Sequence, residues 1–245
     1  MEQKLQQIFN FLVSNRSYNL ALQKRYKLNA IGNVDSRIEK LILFLYDTVN
    51  TQSQPKIDNV AKFFQFIYKN KEQLLSFDSF VKLLGRENDI SNFQNLFYGL
   101  RKQDGWGDKT AALFTKNIHL IHNIYKDPRL IFWDDVPEII QPSEKFFLPV
   151  DAVIIAVFNK LDNKRNWNFK NINKVLQDHY RSDEMEVWDD LWFWGFINQK
   201  GSGNNRVLEW NLNKYWVLSE SDKIPTIIDE IEIKSIEFRS ILNNK

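Results

Sequence analysis

The stretch with the most evident chemical use is Gly105-Trp106-Gly107-Asp108-Lys109-Thr110-Ala111. Two glycines one residue apart permit a turn too tight for residues that avoid positive φ. Apolar residues at spacings of three and four predict a helix on each side. The first runs from Asp89 to Lys102 through Ile90, Phe93, Leu96, Phe97 and Leu100. The second runs from Lys109 to Ile124 through Leu113, Phe114, Ile118, Ile121 and Ile124. It begins directly after the turn, so its first backbone N–H groups lack intrahelical partners and point outward. Such a terminus holds a phosphate without any side chain. Farther on, Asp151 stands directly before the apolar run Ala152-Val153-Ile154-Ile155-Ala156-Val157-Phe158, where an aspartate is a favoured N-cap.

Residues 105–111 resemble the hairpin of helix-hairpin-helix DNA glycosylases, whose pattern reads Leu-Pro-Gly-Val-Gly-x-Lys-Thr-Ala. Leu148-Pro149-Val150-Asp151 is similar to the Pro-Val-Asp segment that carries this superfamily's catalytic aspartate. The resemblance extends from a helix expected near 56–70 through the helix after Asp151, leaving out residues 127–148 and the C-terminal hairpin. It implies that Lys109 is the nucleophile of a bifunctional glycosylase and abasic-site lyase, with Asp151 as its partner. In that role Gly105, Trp106, Gly107 and Thr110 contact DNA, and Asp151 stabilises the positive charge that grows on the sugar as the base leaves. A nucleophilic lysine must shed its proton. A first-turn position beside a helix N-terminus, together with burial in a cleft, would favour that.

The chain departs from the family pattern in places. Gln103-Asp104 stands where Leu-Pro is usual, Trp106 replaces a small aliphatic residue, and Ala152-Val153 replaces the Thr-His that often follows the aspartate. The separation of Lys109 from Asp151 exceeds the family's usual spacing. These differences suggest a distant branch. The chain has no cysteine, which excludes the iron–sulfur cluster of endonuclease III relatives, a disulfide framework and a cysteine nucleophile. The resemblance therefore points to the cluster-free 8-oxoguanine glycosylases, with no organic cofactor or metal expected beyond a monovalent cation at the hairpin.

The elements that must position these residues follow from periodicity. Helices are expected near 2–14, 35–50, 56–70, 76–86, 171–180 and 225–241, and Asn50 to Pro55 reads as a loop. Only 8 Gly and 6 Pro argue for long helices and few tight turns. The breakers Asp127-Pro128, Val136-Pro137 and Gln141-Pro142 interrupt residues 122–147, which form either a cover for a cleft or a short helix with a loop. The apolar helix after Asp151 has almost no polar face and belongs at the centre of a lobe. Phe196-Ile197 and Val207-Leu208 flank a Gly201-Ser202-Gly203-Asn204 turn and read as a β-hairpin. The expected architecture is mainly α, a two-lobed helix-hairpin-helix glycosylase-like fold with a small C-terminal β-hairpin. Residues 1–55 contribute to the first lobe, 56–126 form the lobe with the hairpin, and 127–245 complete the first lobe.

Other chemically suggestive residues have plainer readings. Trp188, Trp192 and Trp194 could stack on an extruded base, although core packing is the commoner role of such residues. His119 and His122 lie three apart with His179 distant in sequence, and no metal site is expected from them. Asp134, Asp135, Asp189 and Asp190 could imitate a glycosidase acid pair, but caps and solvent-facing charge are expected. Net charge is +2, so basic residues matter locally. Arg101, Lys102, Lys109, Lys116 and Lys126 face Asp104 and Asp108, while Lys160, Lys164, Arg165, Lys170, Lys174 and Arg181 face Asp162 and Asp178. The expected partner is double-stranded DNA with a damaged base. No membrane span or signal peptide is read, and an intracellular, nucleoid-associated monomer is expected. The competing readings are a glycosylase for another base, a DNA-binding module without catalysis, and a helical interaction protein whose Gly-x-Gly turn only joins two helices.

Overall fold

The computed structural model describes residues 1–86, 89–201, 206–218 and 222–243. Among them the chain is mainly helical, with a two-stranded antiparallel ribbon, β1 (Gln199–Lys200) and β2 (Val207–Leu208), in which Gln199 faces Leu208 and Lys200 faces Val207. The helices are α1 (Glu2–Ser14), α2 (Arg16–Ile31), α3 (Arg37–Val49), α4 (Ile57–Lys69), α5 (Phe77–Leu83), α6 (Phe93–Arg101), α7 (Asp108–His119), α8 (Ala152–Leu161), α9 (Phe169–Gln177), α10 (Leu191–Ile197), α11 (Leu212–Trp216) and α12 (Pro225–Asn243). Most of the turn expected at 201–204 lies outside the described residues. No helix among the described residues is long and apolar enough to cross a membrane.

The chain divides into two compact units. A hairpin unit comprises Lys24–Pro149 and Arg181–Glu186, and a terminal unit comprises Met1–Gln23, Val150–Tyr180 and Val187–Lys245. In the hairpin unit the inward faces of α3 to α7 meet in an aromatic core. Phe44 and Phe80 both pack on Phe114 of α7, at centroid separations of 5.4 and 6.3 Å. Trp133 lies 5.3 Å from Phe80 and 5.6 Å from Phe77, and donates its indole N–H to the Leu74 carbonyl at 2.8 Å. Residues 126–149 form neither helix nor strand, yet they are tied down by the helices they cap. The Asp135 carboxylate accepts from Phe77 N–H and Asp78 N–H at the start of α5 (2.8 and 2.9 Å), and Glu144 accepts from Gln94 N–H in the first turn of α6.

In the terminal unit α8 packs on α10 so closely that a Cβ on Gly195 would lie 2.9 Å from Val153 Cγ1. The Gln199 side-chain amide donates to the Val153 carbonyl at 2.9 Å. α8 is not enclosed on all sides: Val153, Ile154, Val157 and Phe158 are buried, whereas Ile155 and Ala156 are half-buried. Its apolar composition therefore exceeds what its own packing needs.

Candidate functional site

The two helices around the hairpin form, with bounds that their caps explain. α6 starts at Phe93 because the Asn92 side chain accepts the Asn95 N–H at 2.8 Å; Ile90, ahead of this cap, is 81% exposed. α7 ends at His119, and residues 120–125 widen into a π-helical turn closed by Lys126 in the left-handed region (φ 47°). Between the helices, Gly105 has φ 81° and lies so near α4 that a Cβ would sit 2.8 Å from Val60 Cγ2. Two independent constraints thus require glycine there. Trp106 is buried edge-on between Phe63 and Phe114, at 5.3 and 5.8 Å. It is a wedge that fixes the turn rather than a surface contact.

Gly107 is the N-cap of α7 and brings no side chain to the first amides, whereas Ser36, Ser76 and Asn92 cap α3, α5 and α6 through their side chains. The space around Gly107 is open. The cap therefore supplies no side-chain acceptor, and the positive end of the helix dipole lies beside the turn. Thr110 is buried, so only its backbone can face a ligand there. Asp108 pairs with Arg101 across the turn.

Lys109 is half-buried on this terminus, and its amine donates to Thr51 Oγ1 at 3.1 Å and to the Thr51 carbonyl at 3.4 Å. The next residue, Gln52, donates its side-chain amide to the Gly105 carbonyl at 3.0 Å. The loop read at 50–55 from its polar composition thus touches both the turn and the amine, which no local signal could indicate.

Asp151 belongs to the terminal unit and caps α8. Its Oδ1 accepts from Val153 N–H at 2.8 Å and Ile154 N–H at 3.0 Å, and Oδ2 takes part in neither bond. These two bonds orient the carboxylate at the start of α8.

Several sequence expectations need correction. Trp188 and Trp194 are fully buried: Trp188 packs against Phe9 and Tyr180, and Trp194 against Phe11, Tyr18 and Phe238. Neither offers a free ring face to a base. Trp192 is half-buried and stacks on Phe196 at 5.1 Å. Asp189 and Asp190 are buried rather than solvent-facing. Asp190 is held by Arg16 Nε at 3.0 Å and Asn19 Nδ2 at 2.7 Å, and burial pushes its pKa up to about 7. Asp135 is a cap, as expected, and exposed Asp134 pairs with Arg37. The basic set around the hairpin is not one surface, since Lys116 is 1% exposed and Arg101 is engaged by Asp108. In the other set, Arg165 pairs with Asp162, Lys174 with Asp178 and Arg181 with Asp183.

A concave region lies at the π-helical turn, with a volume of about 750 Å³ and a lining that includes Arg37, His122, Asn123, Lys126, Asp134 and Glu138. Burial lowers the His122 pKa to about 4, so this imidazole is neutral at ordinary pH. Among the described residues no group of three or more His, Asp or Glu could hold a metal ion. The chain matches no protein-family model, no curated protein and no solved structure.

Proposed function

We propose that this chain is a DNA base-excision glycosylase with abasic-site lyase activity, of the helix-hairpin-helix kind, and that 8-oxoguanine is its leading substrate. The observation that carries the reading is a lysine in the first turn of an uncapped helix, directly behind a Gly-x-Gly turn locked against α4. The α7 amides grip a DNA phosphate, and the damaged nucleotide leaves the stack to expose its sugar. The neutral Lys109 amine attacks C1′, the bond from C1′ to the base breaks, and the base departs with the electron pair and takes up a proton. Ring opening gives a Schiff base between Nζ and C1′, and loss of a C2′ proton then expels the 3′ phosphate. The resemblance offers Asp151, whose carboxylate is oriented by the Val153 and Ile154 amides, as the group that stabilises the cationic sugar.

The test is a nicking assay on duplexes carrying 8-oxoguanine, other damaged bases or an abasic site, with DNA affinity measured over a salt series. The proposal expects base release and strand cleavage by the native protein, and Lys109→Gln that still binds DNA but does neither. One observation favours the binding module instead: the Lys109 amine already rests on two Thr51 oxygens, as a structural lysine would. Salt-dependent DNA binding without nicking on any duplex would select that module. Absence of salt-dependent binding would leave only the helical interaction protein.

A further inference from the structure

We infer that Thr51 is the positioning residue of the Lys109 amine, an inference that rests on the lyase reading above. As α3 ends, the chain stays wound on its own last carbonyls. Asn50 N–H donates to the Tyr46 carbonyl at 3.0 Å, Thr51 N–H to Thr48 at 3.3 Å and Gln52 N–H to Val49 at 3.2 Å. The Thr51 hydroxyl gives its one proton to the Thr48 carbonyl at 2.8 Å. That oxygen is therefore left as an acceptor, and it meets Lys109 Nζ at 3.1 Å, with the Thr51 carbonyl as a second acceptor at 3.4 Å.

Gln52 extends the same device to the turn. Its side-chain amide holds the Gly105 carbonyl at 3.0 Å, while Gly105 is pressed on Val60 from α4. Two consecutive residues thus set the amine and the hairpin in one frame. A lysine on a flexible four-carbon stem loses much rotamer freedom when it must hold one attack direction. An amine placed before the substrate arrives has already lost that freedom, which lowers the barrier of the attack step alone. Thr51 acts through Lys109 and need not touch DNA.

The experiment compares Thr51→Val and Thr51→Ser with the native protein on an abasic-site duplex. It measures the single-turnover rate of borohydride-trapped adduct at saturating DNA across a pH series, with the DNA Kd measured separately. Valine keeps the branched shape and removes the hydroxyl; serine keeps the hydroxyl. The expected result for Thr51→Val is an adduct rate about tenfold lower at every pH with the Kd within about twofold of native, and Thr51→Ser within about threefold of the native rate. A native rate in Thr51→Val overturns the inference. So does an equal loss of rate in both variants with weakened DNA binding, which would mark Thr51 as a loop-structure residue only. If Thr51→Val does not fold, Thr51→Ala repeats the comparison. No adduct from the native protein would refute the lyase reading itself, and this inference with it. A native adduct alongside an unaffected Thr51→Val refutes only the inference.

Discussion

α7 and α8 begin from nearly the same backbone, Gly107 at φ −115°, ψ 176° and Asp151 at φ −119°, ψ −174°, yet the two termini are finished in opposite ways. At α8 a carboxylate of the chain itself satisfies two amides. At α7 the cap is Gly107, which brings no side chain to the first turn. The difference lies in one side chain rather than in fold geometry. One terminus orients an aspartate, and in the proposed function the other receives a DNA phosphate. The lysine belongs to the second, where two oxygens of Thr51 steady it.

The largest expected effect comes from neutralising the filled terminus. Asparagine caps a helix about as well as aspartate. Asp151→Asn should therefore leave urea unfolding unchanged while base release falls by about 10²- to 10³-fold. Asp151→Ala should in addition lose about 1 kcal/mol of stability. An active Asp151→Asn would reduce this residue to a cap and nothing more.

Next in size is the turn itself. Gly105→Ala meets both a positive φ and Val60, so denaturant titration should show a loss of about 1–3 kcal/mol, with weaker DNA binding in step. A smaller and more diagnostic effect is expected from giving α7 the cap that α8 has. The space around Gly107 is open and its φ suits any residue. Gly107→Asp should raise stability by a few tenths of a kcal/mol and weaken DNA affinity by about tenfold at low salt, a loss that shrinks as salt rises. Unchanged affinity would mean that the α7 amides do not hold phosphate.

A last prediction separates the two units by pH. In the hairpin unit, burial depresses the His122 pKa from 6.5 to about 4. The unfolded chain then binds the proton more readily, and stability present above pH 6.5 is lost as pH falls toward 4. In the terminal unit, the Asp190 pKa is raised from 3.8 to about 7, so stability present at pH 4 is lost as pH rises through 7. Hydrogen exchange, corrected for its intrinsic pH dependence, should show α7 becoming less protected and α10 more protected on acidification. Slopes of the same sign in both would contradict these two environments.

Amphipathic spacing made α1, α3, α4, α7 and α12 legible, because their inward faces are apolar and their register is local. α2 was not legible, since Asn19 and Lys27 occupy buried positions on it and break the pattern. The start of α6 was displaced because Ile90 has the right spacing but precedes the cap at Asn92. At the site, the glycine pair and Asp151 could be read from residue type and neighbours. The Thr51 contact could not, because a loop and a helix start far apart in sequence meet only in the folded unit. The tryptophans show the limit from the other side: aromatic density in residues 188–196 signals burial and stacking alike, and only packing shows that Trp188 and Trp194 are enclosed.

The most direct test of the central claim is to trap the native protein on an abasic-site duplex with borohydride, digest the adduct and locate the modified residue by mass spectrometry. The account predicts a sugar remnant on Lys109 and no adduct from Lys109→Gln. An adduct on any other amine, or none at all from a protein that binds the duplex tightly, would contradict it.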